Sequence, residues 1–94
     1  MQIVNPATEE VIADLKTDDL SSITAKYARA RAAQHAWAAT PYDERAASIR
    51  RFRVAVIKEL RTLALTQTLE TGKPITQSRA ELAALIGRLE RRSV

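Results

Sequence analysis

A stretch of about 30 residues between two helix-breaking signals constrains the fold of this chain more than any other part of its sequence. It begins at Thr40 and Pro41, where threonine can cap a helix and proline suits the first helical position, and Asp43 completes a capping box. It ends at Gly72, which can adopt the left-handed conformation after a last turn, and at Pro74, which prevents the helix from resuming. A helix of this size is roughly 45 Å long. Such a helix is long for a free-standing domain of this size, so it is better suited to a central position in a larger protein.

Two short strands around a turn are predicted over about residues 2–15. Asn5 precedes Pro6, and proline pushes the residue before it out of the helical region. Apolar residues lie on both sides of this turn: Ile3, Val4, Val11, Ile12 and Leu15. A hairpin of two strands is marginally stable in water, so we expect this one to lie on another part of the molecule.

A first helix is predicted over about residues 20–38, with Asp18 or Asp19 as its N-cap. Apolar side chains recur along it at helical spacing and form a stripe: Leu20, Ile23, Tyr27, Ala30 and Trp37. Trp37 stands at the end of this stripe. Core packing at a helix–helix corner is the favoured interpretation of Trp37, and a subunit interface is the alternative.

The remaining helices follow from the same spacing, over residues 41–71 and about 74–92. The buried face of the long helix is predicted from Ile49, Phe52, Val56, Leu60 and Leu63, and that of the last helix from Ile75, Leu82, Leu85, Ile86 and Leu89. The fold class is therefore mainly α: a short N-terminal β-hairpin followed by three helices, the second very long. The whole chain, residues 1–94, is predicted to be one small domain.

Composition excludes several classes of function. The chain has no cysteine, which excludes disulfides, thiolate metal sites and a thiol nucleophile. The N-terminus shows no signal peptide and no apolar run reaches the ~20 residues of a membrane span, so we expect a soluble, cytoplasmic protein. The net charge is +4, but the arginines are interleaved with acidic residues, which is typical of solvated helix faces rather than of nucleic-acid binding.

Two residues invite a chemical interpretation that the sequence does not support. His35, the lone histidine, has no adjacent carboxylate and nucleophile for general-base work and no metal-binding spacing, so a structural role at the helix end is favoured. Lys73 follows Gly72 as in nucleotide-binding loops, but Pro74 stands where such a loop needs serine or threonine. We predict a helix stop there, with a weak ion pair between Glu70 and Lys73.

Four short motifs occur in an order that resembles the opening segment of the NAD(P)-dependent aldehyde dehydrogenase family. They are Asn5-Pro6-Ala7-Thr8, Ala36-Trp37, Glu44-Arg45 and Glu70-Thr71-Gly72-Lys73-Pro74. The resemblance runs from Ile3 to about Leu85 and implies a strand pair and first long helices that pack against a dinucleotide-binding domain. Each motif is weak alone, and the four in order are specific.

Three departures from the family accompany the resemblance. Gln34 stands where an aromatic residue is common, which softens the packing at the end of the first helix. Glu10 replaces a usual glycine, so the hairpin turn is expected to differ. After Gly87 the chain becomes strongly charged, through Arg88 to Val94, where the family continues with apolar residues.

The resemblance therefore implies an N-terminal fragment or truncated homologue of an aldehyde dehydrogenase, an enzyme that oxidises an aldehyde or semialdehyde to the acid. No catalytic, cofactor-binding or metal-binding residue carries over, because the nucleophilic cysteine, the carboxylate base and the glycine-rich segment have no counterpart here. NAD or NADP is implied for a full-length member, and none is expected to bind this chain. Uncovered apolar helix faces predict a homo-oligomer. The alternatives are a stand-alone helical interaction module and a small basic nucleic-acid binder.

Overall fold

The fold is mainly α-helical, with a β-hairpin at its N-terminus. A computed structural model of the chain describes residues 1–92, and the predictions for Ser93 and Val94 lie outside the described residues. The elements are β1 (Gln2–Val4), β2 (Val11–Asp14), α1 (Leu20–Ala39), α2 (Tyr42–Lys58), α3 (Leu60–Thr71) and α4 (Ile75–Arg92). The predicted hairpin, first helix and last helix are confirmed to within a few residues.

The long helix predicted over 41–71 is divided at Glu59, which is the main difference from the sequence-based expectation. Glu59 has φ −99° and ψ 12°, outside the helical region, although its N–H still donates to the Ala55 carbonyl at 3.1 Å. Helix α4 packs against both α2 and α3, and its 18 residues span about 27 Å. Because a straight rod of about 45 Å would diverge from so short a helix, the bend keeps both segments against α4.

The start of α2 also differs from the predicted capping box. The Thr40 hydroxyl donates to the Ala36 carbonyl at 2.8 Å and its N–H donates to the Trp37 carbonyl at 3.1 Å, so both groups close the end of α1. Helix α2 has no side-chain cap, and Asp43 and Glu44 in its first turn favour it only through the helix dipole. Thr40 was therefore assigned to the wrong helix.

The cap of α1 matches its prediction. The Asp19 carboxylate accepts from the Ser22 N–H at 2.8 Å, and the Ser22 hydroxyl accepts from the Asp19 N–H at 2.9 Å. The Ser22 backbone N–H first, and the Ser22 side chain second, lower the pKa of the Asp19 carboxyl group. At Asp18, a hydrogen bond from Lys26 and a weaker one from Ser22 lower the pKa of the carboxyl group.

The interior is small and lies where α4 crosses α2 and α3. Ala46, Val56, Ala64 and Ser78 are buried, and Ser78 is the largest side chain that is fully buried. The Ser78 and Thr68 hydroxyl groups are hydrogen-bonded at 2.8 Å between α4 and α3. Small residues let these helices approach closely. Of the predicted faces, Ile49, Leu60 and the five residues named on α4 are half-buried, whereas Phe52 and Leu63 are exposed.

The hairpin turn is shaped by Asn5 and by one left-handed residue. The Asn5 side-chain oxygen accepts from the Ala7 N–H at 2.8 Å, and the Asn5 carbonyl accepts from the Glu9 N–H at 2.8 Å. Glu9 has φ +64°, a conformation that costs a non-glycine residue about 1 kcal/mol. The register shifts between Ile3 and Val4, which pair with Ala13 and Val11. The left-handed residue of this turn is thus Glu9, which directly precedes Glu10.

Replacing Glu9 with glycine is expected to stabilise the chain by roughly 0.5–1 kcal/mol, because glycine adopts positive φ without the Cβ penalty. Glu10→Gly is the matched control, since Glu10 is not among the residues with positive φ and glycine there only adds entropy to the unfolded chain. Urea unfolding followed by circular dichroism measures both variants. Equal midpoints for the two would contradict the strain at Glu9.

Candidate interaction surface

Two of the four sequence motifs, those that contain Pro6 and Gly72, meet in space and form one corner of the molecule. Gly72 follows α3 in the left-handed conformation, with φ 76° and ψ 5°, and its N–H donates to the Thr68 carbonyl at 2.9 Å. A Cβ atom placed on Gly72 would lie 3.0 Å from Cγ of Pro6. The hairpin turn thus rests on the turn between α3 and α4, which is the support that a two-stranded hairpin requires.

Lys73 pairs with a different carboxylate from the one predicted. Its ammonium group lies 2.9 and 3.1 Å from the two carboxylate oxygens of Glu81, in the second turn of α4. The Gln67 amide also donates to Glu81. Glu70 is therefore not the partner of Lys73, because the chain reverses at Gly72 and brings α4 beside Lys73. Lys73 first, and Gln67 second, lower the pKa of Glu81.

His35 and the two glycines occupy positions without the surroundings of a catalytic or cofactor site. His35 lies exposed on α1, and within residues 1–92 no group of three or more metal-ligating side chains comes together. A dinucleotide site needs several glycines in one loop after a strand. Here Gly72 ends a helix against Pro6, and Gly87 lies inside α4. The residues present do not fit such a cofactor.

Trp37 is not a core residue, contrary to the favoured interpretation. Its side chain is 45% exposed, because no helix of the described chain covers the surrounding part of α1. All of α1 is exposed apart from Ser22, which is half-buried. Trp37 lines an open hollow on this helix together with Ala30, Ala33, Gln34, Ala36 and Thr40. The predicted stripe on α1 therefore exists as an uncovered apolar surface.

Arg53 connects α2 with the far end of α4. Its Nε donates to the Ile86 carbonyl at 3.2 Å, and its guanidinium lies 3.7 Å from the Glu90 carboxylate. Sequence reasoning missed this contact, as it missed the buried pair of Ser78 and Thr68. The sequence does contain small and polar residues where α3 and α4 face one another. Their role can be recognised only once it is known that these two helices pack together.

Apolar surface elsewhere is also uncovered. Large side chains of α2 and α3 that are more than one third exposed include Phe52, Val54, Ile57, Leu63, Leu65 and Leu69. No helix within residues 1–92 is long and apolar enough to cross a membrane. The candidate functional feature of this chain is therefore a surface for contact with other protein, centred on α1.

Comparison with known proteins shows which family the chain resembles. The model of the aldehyde dehydrogenase family matches residues 1–91. An N-succinylglutamate 5-semialdehyde dehydrogenase of Caulobacter sp. (strain K31) is 34% identical over 87 residues, which cover 93% of this chain and 18% of that protein. The enzyme of the same name from Novosphingobium aromaticivorans is 36% identical over 85 residues, or 90% of this chain and 17% of that protein. No solved structure matches the chain.

The Gly72 corner predicts opposite effects for two glycine substitutions. Gly72→Ala should destabilise the fold by about 1–2 kcal/mol, because alanine is strained at positive φ and its methyl group would press on Pro6. Gly87→Ala should stabilise it by roughly 0.5–1 kcal/mol, because its Cβ meets nothing within 4 Å and alanine favours a helix. Urea unfolding of both variants measures this. A Gly72→Ala variant with the same stability as the parent would show that the corner does not stabilise the fold.

The ion pair of Lys73 and Glu81 predicts a dependence of stability on pH. Because folding lowers the pKa of Glu81, its contribution is complete above the ordinary glutamate pKa of about 4.3 and is lost as pH falls through the lowered value. Glu81→Gln should therefore lose less stability on acidification than the parent chain, whereas Glu70→Gln should follow the parent. Unfolding midpoints measured from neutral to acidic pH decide this, and identical profiles for both variants would contradict the pairing.

Proposed function

This chain belongs to the aldehyde dehydrogenase family, and on that premise we propose that it supplies the N-terminal framework of such an enzyme and has no dehydrogenase activity by itself. The observation that carries the proposal is the coverage of the match. The family model accounts for residues 1–91, yet the chain spans less than a fifth of the length of the relatives it matches. The described residues among them form the Gly72 corner and four helices, which supports a framework role.

The chemistry of aldehyde oxidation supports the second part of the proposal. A thiol nucleophile attacks the aldehyde carbon in this family, and the present sequence contains no cysteine. Full-length members use NAD or NADP, and neither glycine of this chain lies in a loop that could cradle a dinucleotide. Both the nucleophile and the cofactor site must therefore come from other polypeptide.

The substrate class is proposed from the relatives. Two enzymes that match this chain are named for N-succinylglutamate 5-semialdehyde. We infer that an enzyme completed around this framework oxidises a carboxylate-bearing semialdehyde of that kind, in the cytoplasm, with NAD or NADP as oxidant. Among the described residues, the framework contributes position and shape: the Gly72 corner anchors the hairpin, and α4 holds α2 and α3 together.

A chimeric enzyme tests the framework role. The segment of the Caulobacter relative that aligns with this chain is replaced by this chain, and formation of reduced cofactor from N-succinylglutamate 5-semialdehyde is measured. The chimera should form reduced cofactor at a measurable rate, because this chain then supplies the framework while the relative supplies the remaining residues. The relative without its aligned segment, and this chain alone, should form none.

Two results would contradict the proposal. A chimera that is folded by circular dichroism but inactive would show that this chain cannot serve as the framework. Turnover by the chain alone would show that it carries its own catalytic residues.

A second function is favoured by a separate observation. The uncovered stripe on α1 fits a helical oligomerisation module, because a helix with no buried residue needs a partner for its apolar side chains.

A further inference from the structure

We propose that a hollow between α3 and α4 binds a short dicarboxylate, with one carboxylate on each of two arginines. The hollow, called the diarginine hollow below, is lined by Arg61, Thr62, Leu65, Ile75 and Arg79. Its volume is about 280 Å³, close to the lower limit of ligand pockets, so it suits a small molecule. The inference goes beyond the proposed framework role, because it assigns a ligand to this chain by itself.

The chain itself fixes the two walls of the diarginine hollow. One wall belongs to α3 and the other to α4, and each wall supplies one arginine. The Thr68 and Ser78 hydroxyl groups are hydrogen-bonded at 2.8 Å between these helices, and Ser78 is fully buried. The Gly72 corner joins the same two helices. Because this crossing is packed within the chain, the placement of Arg61 relative to Arg79 does not require another polypeptide.

Both arginines of the hollow lack an acidic partner. The guanidinium groups of Arg61 and Arg79 form no hydrogen bond or ion pair within the part of the chain that the structure describes. Glu81 lies two residues after Arg79, on another face of α4, and its carboxylate is held by Lys73. The Glu90 carboxylate lies 3.7 Å from a guanidinium of α2. Two like charges that line one space without a counter-charge favour the entry of an anion.

The remaining lining indicates the rest of the ligand. Leu65 is 53% exposed and Ile75 is half-buried, and both contribute apolar surface to the hollow. Thr62 adds a hydroxyl group, which can donate to an anion. A guanidinium pairs with a carboxylate through two parallel N–H donors. A molecule with two carboxylates joined by a short aliphatic chain therefore matches the two arginines, the hydroxyl group and the apolar lining together.

Calorimetric titration of the full chain with succinate tests the proposal. Butyrate has the same number of carbon atoms and one carboxylate, so it is the matched ligand control, and both are titrated at a constant ionic strength of about 0.15 M. Succinate should bind at least about tenfold more tightly than butyrate, because it forms one more charge-assisted contact. Inorganic phosphate should bind more weakly than succinate, since it offers nothing to the apolar lining.

Two variants test whether both arginines act on the same ligand. Arg61→Gln and Arg79→Gln should each weaken succinate binding at least about tenfold and remove its advantage over butyrate, because one arginine is then left. Arg79→Lys keeps the charge but loses the planar fork, so it should also bind succinate more weakly than the parent.

Arg88→Gln is the matched control for these variants. Arg88 is exposed on α4, nine residues or two and a half turns after Arg79, and therefore on the opposite face of the helix. The variant removes the same charge and should bind succinate as the parent does. Circular dichroism confirms that each variant keeps the parent's helix content.

Amide NMR signals of the parent chain locate the ligand without any substitution. Succinate should shift the signals of Thr62, Leu65 and Arg79 and leave those of α1 unchanged. Shifts confined to another part of the chain would overturn the assignment of the diarginine hollow.

Three calorimetric results would also overturn the proposal. The first is the absence of succinate binding at tens of millimolar ligand. The second is a parent chain that binds butyrate or inorganic phosphate as tightly as succinate, which would show that the arginines do not act together on a dicarboxylate. The third is an equal loss of affinity in Arg88→Gln and Arg79→Gln, which would show that the net charge of the chain attracts the ligand.

Discussion

The close approach of Gly72 and Pro6 holds the two ends of this fold together. Only glycine combines the left-handed backbone that ends α3 with the absence of a Cβ atom, which would lie 3.0 Å from Cγ of Pro6. The same turn sends α4 back along α3 and α2, so that Ser78 meets Thr68 and Arg53 meets Ile86. Without this corner the hairpin would lose its support, and α4 would no longer be directed back along α3 and α2.

The sequence predicted the elements whose ends are determined locally. Asp19 caps α1 through its side chain, whereas Pro41, Gly72 and Pro74 act through their backbone preferences, and the helices begin or end beside all four. The bend at Glu59 could not be predicted, because glutamate is a good helix former and the bend serves the packing of α4 against two segments. Tertiary contact overrode local propensity there.

The same division applies to the candidate surface. The apolar stripe on α1 was visible from its spacing, but whether it was covered depended on where the other helices went. Lys73 pairs with Glu81 rather than Glu70 because of the chain reversal, and Trp37 is exposed because no helix within residues 1–92 packs over it. The side chains whose predicted positions were wrong are therefore those that depend on another helix. The four short motifs, in contrast, identified the family correctly.

The solitary position of α1 has a consequence for how it moves. A helix that buries no residue of its own gains little from tertiary packing, so its persistence depends on alanine-rich propensity and on the Asp19–Ser22 cap. Amide protons of α1 are accordingly expected to open to solvent exchange independently of those at the buried crossing of α3 and α4. The chain therefore contains two units of different cooperativity, one held by a packed crossing and one that gains its order from whatever it pairs with.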